Sequence, residues 1–125
     1  QRGFFPCGGA TVRLMQEIGW GNAMRYLLTG DEFSGEEAYR MGFVQALTEP
    51  GEQFECALKI ARSIANAAPL GVQAVLASAR QARHQGDITA LKALMPMLPR
   101  MMKTEDMQEA IAAFKEKRSP VFQGK

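Results

Sequence analysis

Pro6-Cys7-Gly8-Gly9-Ala10-Thr11-Val12-Arg13-Leu14 is the stretch on which the reading of this chain turns. A proline and two adjacent glycines run straight into residues with helical spacing, so the segment is predicted to be a tight turn feeding a helix. Glycine reaches backbone angles closed to other residues and lets a second backbone or a ligand come close. The first helical turn then presents N–H groups without intrahelical partners, which suit an oxyanion or a polarised water. A turn of this kind belongs in the middle of an enzyme. Here it opens at the sixth residue, so the expectation is that no complete domain stands in front of it.

Beyond the turn, Val12, Leu14, Met15 and Ile18 keep helical spacing, and Gly19 ends the run. A second short helix is predicted over 21–28 with Gly30 as its terminator. Ser34 and Glu37 form a Ser-x-x-Glu capping pattern that opens a third, stopping at Gly42. Phe43 to Leu47 reads as one short strand or extended segment, followed by a turn at Glu49-Pro50-Gly51. Longer helices are predicted from there on. One runs to about Ala67 with Phe54, Ala57, Leu58, Ala61 and Ile64 on a single face. A second starts at Pro69 and carries Val72, Val75, Leu76 and Ala79 to about His84. Gly86 closes it and Asp87 caps a third, in which Pro96 and Pro99 predict a kink or break. Thr104 caps the last helix, with Met107, Ala110, Ile111 and Phe114 as its stripe, and Pro120 ends it. The composition shift at Pro50-Gly51 divides the chain into a compact Gly-rich part, 1–50, and a long-helix part, 51–125.

Composition narrows the function classes. A hydrophobic content of 46% is ordinary for a globular protein, and a net charge of +2 is too small to argue for nucleic acid or an anionic membrane. Apolar runs are interrupted by charges well short of the ~20 residues that span a bilayer. Cys7 and Cys56 lack metal-ligand spacing and read as free thiols, so no metal site is expected. Without a basic-then-apolar leader the expected location is the cytoplasm. Five of the eight methionines fall between Met95 and Met107, a flexible cluster that suits a core or an interface.

Several motifs in order resemble one family. Pro6-Cys7-Gly8-Gly9-Ala10-Thr11-x-Arg13-Leu14, then Leu27-Leu28-Thr29-Gly30, then Ser34-x-x-x-Ala38-x-x-x-Gly42-Phe43-Val44 and finally Ala113-Phe114-x-Glu116-Lys117-Arg118 are similar to the crotonase superfamily from Pro6 to about Phe122. The resemblance implies a mostly α piece with one short strand: the helical C-terminal region of a ββα spiral, 1–50 being the end of the spiral core and 51–125 the oligomerisation region. It implies an enzyme of the enoyl-CoA hydratase/isomerase type that hydrates or isomerises enoyl-CoA through a stabilised thioester enolate. Coenzyme A thioester is then the substrate, with no separate cofactor, and the parent is a homotrimer or hexamer. The family's catalytic glutamates and oxyanion amides fall upstream of Gln1, so this piece alone is expected to be inactive, supplying CoA contacts and the trimer interface.

By the same resemblance, Cys7 takes the place of a glycine whose backbone N–H holds the catalytic water in hydratases, and Lys117 takes that of a lysine reaching the CoA phosphates. An ammonium on a flexible stem suits a phosphate, although Lys115 and Arg118 stand beside it with the same charge. A Cys7 thiol at a helix N-terminus is also a candidate nucleophile. Leu98 occupies a place where some members put an aromatic near the adenine. His84, Glu105, Asp106 and Glu109 read as helix-end residues complementing the dipole; Glu36 and Glu37 are adjacent and point differently, with Glu37 as the capping partner; and Trp20 reads as a packing anchor. The alternative to an enzyme portion is a non-catalytic helical module that oligomerises or binds a partner through its Met-rich helices. Either way, unpaired apolar stripes predict that the isolated chain is at least dimeric.

Overall fold

The computed structural model describes Gly3 and residues 5–125. By its internal contacts the chain divides into two compact units, 1–56 and 57–125. Among the described residues six helices account for the regular structure: α1 (Ala10–Thr29), α2 (Gly35–Arg40), α3 (Gln53–Ala65), α4 (Pro69–Gln85), α5 (Asp87–Met101) and α6 (Glu105–Glu116).

In the first unit α1 is two helices joined at Gly19, whose φ of 77° and ψ of 163° interrupt the helical run as the sequence predicted. That conformation is essentially restricted to glycine, so the break is written into residue 19. It lets Ile18, on one side, and Ala23 and Tyr26, on the other, enter one cluster with Met41. Burying a side chain such as Ile18 contributes about 2 kcal/mol. Gly30 terminates the second half with its N–H on the Tyr26 carbonyl, 2.9 Å. Phe33 closes the cluster, its ring 4.8 Å from Tyr26 and 6.2 Å from Phe43. Trp20 is not the expected anchor: it is 70% exposed, and Tyr26 fills the anchoring role. Among the described residues there is no strand. Residues 43–47 bend after Gly42, and an extended segment becomes a strand only with a ladder partner, which this stretch does not find here.

In the second unit α4 and α5 fold back on each other through a single residue, Gly86, which is the C-cap of one and the N-cap of the next. Asp87 therefore sits in the first turn of α5 and does not cap it. The break expected at Pro96 and Pro99 does not occur, and α5 continues through both to Met101. Each proline removes one N–H, but the carbonyls left over belong to Lys92 and Met95, exposed residues whose backbone water can reach. Thr104 caps α6 by accepting the Met107 N–H at 3.2 Å. The helix ends at Lys117, three residues before Pro120, because Lys117 turns left-handed (φ 54°, ψ 37°). On α6 the buried residues are Asp106 and Ala113, whereas Phe114 of the predicted stripe is 85% exposed.

Candidate functional site

The glycine-rich turn is built by its own residues. Gly9 caps α1 at a φ of 88° and its carbonyl accepts the N–H groups of Val12 and Arg13 at 3.2 and 3.0 Å. The Arg13 guanidinium folds back and donates to the Gly8 carbonyl. A Cβ on residue 9 would sit 3.2 Å from that guanidinium, so glycine serves both the backbone angle and the arginine's return. Cys7 is exposed. Its backbone N–H donates to the Phe5 carbonyl at 2.9 Å and its Sγ lies 3.2 Å from the same oxygen. The amide donor singled out from the sequence is thus engaged within the turn.

Lys117 lies in the other unit, at the junction of α6 and the C-terminal tail, so neither unit alone brings Cys7 and Lys117 together. It is the only non-glycine with positive φ among the described residues. Its neighbour Arg118 is fully committed: two nitrogens grip Glu109 at 2.5 and 2.8 Å, and Nε donates to Glu116 at 2.6 Å. A two-pronged arginine–carboxylate contact of this kind is the strong form of an ion pair. Hydrogen bonding from Arg118, with help from the Val121 N–H, holds the Glu109 carboxyl well below its usual range, at about 2. Among the described residues at this end, Lys117, like Lys115, carries no ion pair, whereas Arg118 does.

Sequence reasoning missed what fixes the tail. Asp106, 3% exposed, accepts the N–H groups of Gln123 and Gly124 at 2.7 and 2.9 Å, while its own N–H donates to the Lys125 carbonyl at 3.2 Å. Glu109 accepts the Val121 N–H at 2.8 Å. Phe122 lines a cavity of about 140 Å³ together with Leu70, Met101, Met107 and Ala110, and a Cβ on Gly124 would lie 3.5 Å from Pro69. The signal lay in the spacing: Asp106, Glu109, Ala110 and Ala113 share one helix face, so two carboxylates were pointed at the apolar side.

The other polar residues are structural in this geometry. Glu37 anchors a cluster in the first unit, taking Arg40 at 2.5 and 2.6 Å and the Tyr26 hydroxyl at 2.9 Å. Those contacts hold its carboxyl at about 2, Arg40 contributing most. Its backbone N–H donates to Ser34 Oγ, while the carboxyl that bonds Ser34 and falls below its usual range belongs to Glu36. Only half of the predicted capping pattern forms, because the Glu37 side chain is needed by Arg40. His84 stands in the last turn of α4 and Leu98 is exposed on α5. Among the described residues no group of three potential metal ligands occurs, and no helix is long and apolar enough to cross a membrane.

Three comparisons bear on this arrangement. Residues 1–125 match the family described as enoyl-CoA hydratase/isomerase. The chain is 34% identical over 121 residues to enoyl-CoA hydratase EchA19 of Mycobacterium tuberculosis, covering 97% of itself and 46% of that protein. It is 30% identical to 2,3-dehydroadipyl-CoA hydratase of Escherichia coli, covering 98% of itself and 48% of that protein. Its structure is similar to that of a probable enoyl-CoA hydratase/isomerase from Mycobacterium abscessus, with a TM-score of 0.92, 44% identity, and coverage of 99% of this chain and 48% of that one. The chain thus spans about half the length of the curated relatives it matches.

Proposed function

The chain belongs to the enoyl-CoA hydratase/isomerase family, as the helical C-terminal portion of its crotonase fold, and from that premise we propose that the protein carrying it hydrates or isomerises an enoyl-CoA. The reaction class needs a thioester enolate, whose charge is stabilised by backbone N–H groups aimed at the thioester oxygen. It also needs carboxylates that move the proton at the α-carbon. In this proposal those groups come from the part of the fold that this chain does not contain. The chain contributes a wall of the site, a cation for the coenzyme A phosphates and, through its open apolar helix faces, a subunit interface in a homotrimer or hexamer. By itself it has no turnover.

What supports the reading most directly is that all 125 residues match the family. The unpaired Lys117 ammonium supports its role at the CoA phosphates over Arg118, whose guanidinium is already gripped by Glu109 and Glu116. Cys7 contributes a water-binding amide in this scheme only when its N–H exchanges the Phe5 carbonyl for the water.

The test is to supply a short 2-enoyl-CoA to the protein as its own gene encodes it and follow loss of the conjugated double bond. The expected result is turnover by the whole protein and none by the isolated 125-residue chain. Coenzyme A binding without turnover by the whole protein would leave the non-catalytic oligomerisation module as the better reading.

A further inference from the structure

Segment 118–125 carries no helix, yet it is fixed along its length by Glu109 and Asp106. Its anchoring begins immediately after Lys117, the one non-glycine among the described residues held in a left-handed conformation. Side chains with a Cβ adopt that conformation at a cost, and glycine is the usual choice at a helix end of this shape. Something must over-determine residue 117 for a lysine to stand there. Two constraints do so. On the helix side, the N–H groups of Lys117 and Arg118 donate to the carbonyls of Phe114 and Ala113 at 3.3 and 3.0 Å. On the tail side, Arg118 grips Glu109 with two nitrogens while Val121 donates to the same carboxylate.

The same grip has an electrostatic consequence. Glu109 and Glu116 are the carboxylates of this helix end that enter ion pairs, and both are occupied by Arg118. Without Arg118, either would be a competitor for a neighbouring ammonium, and a competing carboxylate would weaken a lysine's attraction for an anionic ligand.

We propose that Glu109 and Arg118 are positioning residues: their ion pair fixes the backbone of Lys117, and Arg118 in addition keeps the Glu109 and Glu116 carboxylates off the lysine's ammonium, so that the ammonium stays available to a phosphate of bound coenzyme A. The inference rests on the reading of Lys117 as a phosphate contact. It adds that the contact is built by an ion pair that never touches the ligand.

Calorimetric titration of the protein as its own gene encodes it tests this, with coenzyme A as one probe and pantetheine, which lacks every phosphate, as the other. Lys117→Ala is expected to weaken coenzyme A about fivefold, the worth of an exposed charge contact, and to leave pantetheine unchanged. Glu109→Gln keeps the shape, breaks the two-pronged grip and also removes that carboxylate as a competitor, so it reads the backbone role alone. It is expected to weaken coenzyme A about threefold, leave pantetheine unchanged, and have no further effect in the Lys117→Ala background. Equal losses in both backgrounds, or an equal loss for pantetheine, would mean a merely structural role and overturn the proposal. Weakening by Lys117→Ala but not by Glu109→Gln overturns the positioning role and leaves the phosphate contact standing. Unchanged coenzyme A binding in Lys117→Ala removes the phosphate contact and the proposal with it. Should Glu109→Gln fail to fold, Arg118→Lys, which keeps a cation without the two-pronged grip, is judged by the same criteria.

Discussion

The α4–α5 pair and the α6–tail segment belong to the same unit and are held by opposite means. Across α4 and α5 the buried residue is Ala90, while Val75, Leu91 and Leu94 face an open groove of about 650 Å³. Across α6 and the tail the backbone is tied to two carboxylates, and Asp106 is among the most buried residues of the chain. Hydrogen bonds are directional and complete themselves locally, so a tail with partners for its N–H groups is finished within the unit. Apolar faces are satisfied only by area, and a hairpin of two helices has too little of it to cover both. The polar segment is thus self-sufficient, and the apolar pair is shaped for further surface.

The sharpest way to break that contrast is Asp106→Ala. Two backbone N–H groups would lose a charged acceptor, so the unit should lose about 3 kcal/mol in denaturant unfolding. A loss under about 0.5 kcal/mol would mean that Phe122 and the Glu109 contacts hold the tail without Asp106. On the other side of the comparison, Pro96→Ala restores a helical N–H in α5. It should stabilise by about 1 kcal/mol, less than the full helix cost of proline because the unfolded chain also gains freedom. Thermal unfolding reads the sign directly. Leu91→Ser should change the stability of the separate chain by less than about 0.5 kcal/mol, since Leu91 is already exposed, while weakening any self-association seen in sedimentation. A large loss of monomer stability would show that the groove is closed in solution.

The smallest effect concerns pH. The folded Glu109 carboxyl lies at about 2, below its usual 4.5, so its contribution is complete above 4.5 and is lost as the pH falls from there toward 2. Glu109 is partly solvent-accessible, so only a shallow slope is expected, and it should vanish from the Glu109→Gln variant.

Much of the helix layout was legible because caps and breakers are local. Gly19, Gly30, Gly86, Ser34 and Thr104 act at the positions assigned to them, each through an interaction spanning at most four residues or through its own backbone angles. The prolines of α5 were misread because helix propensity ignores solvent, which accepts hydrogen bonds from exposed carbonyls. The strand at 43–47 was misread because a strand is a property of two segments and only one was on view. Cys7 and Lys117 were singled out through motif resemblance, but neither the engaged Cys7 amide nor the partners of Arg118 could be read from it. Those depend on Phe5, Glu109 and Glu116.

By itself the sequence determined many of the helix starts and stops, the family to which the chain belongs, and which residue types stand at the turn and at the helix end. Only the tertiary structure decided that Asp106 and Glu109 turn inward to hold the tail, and that Arg118 is spoken for while Lys117 is not. The physical reason is range. Capping and backbone strain act within a turn of chain, whereas the worth of a carboxylate depends on donors up to eighteen residues away, brought to it by folding.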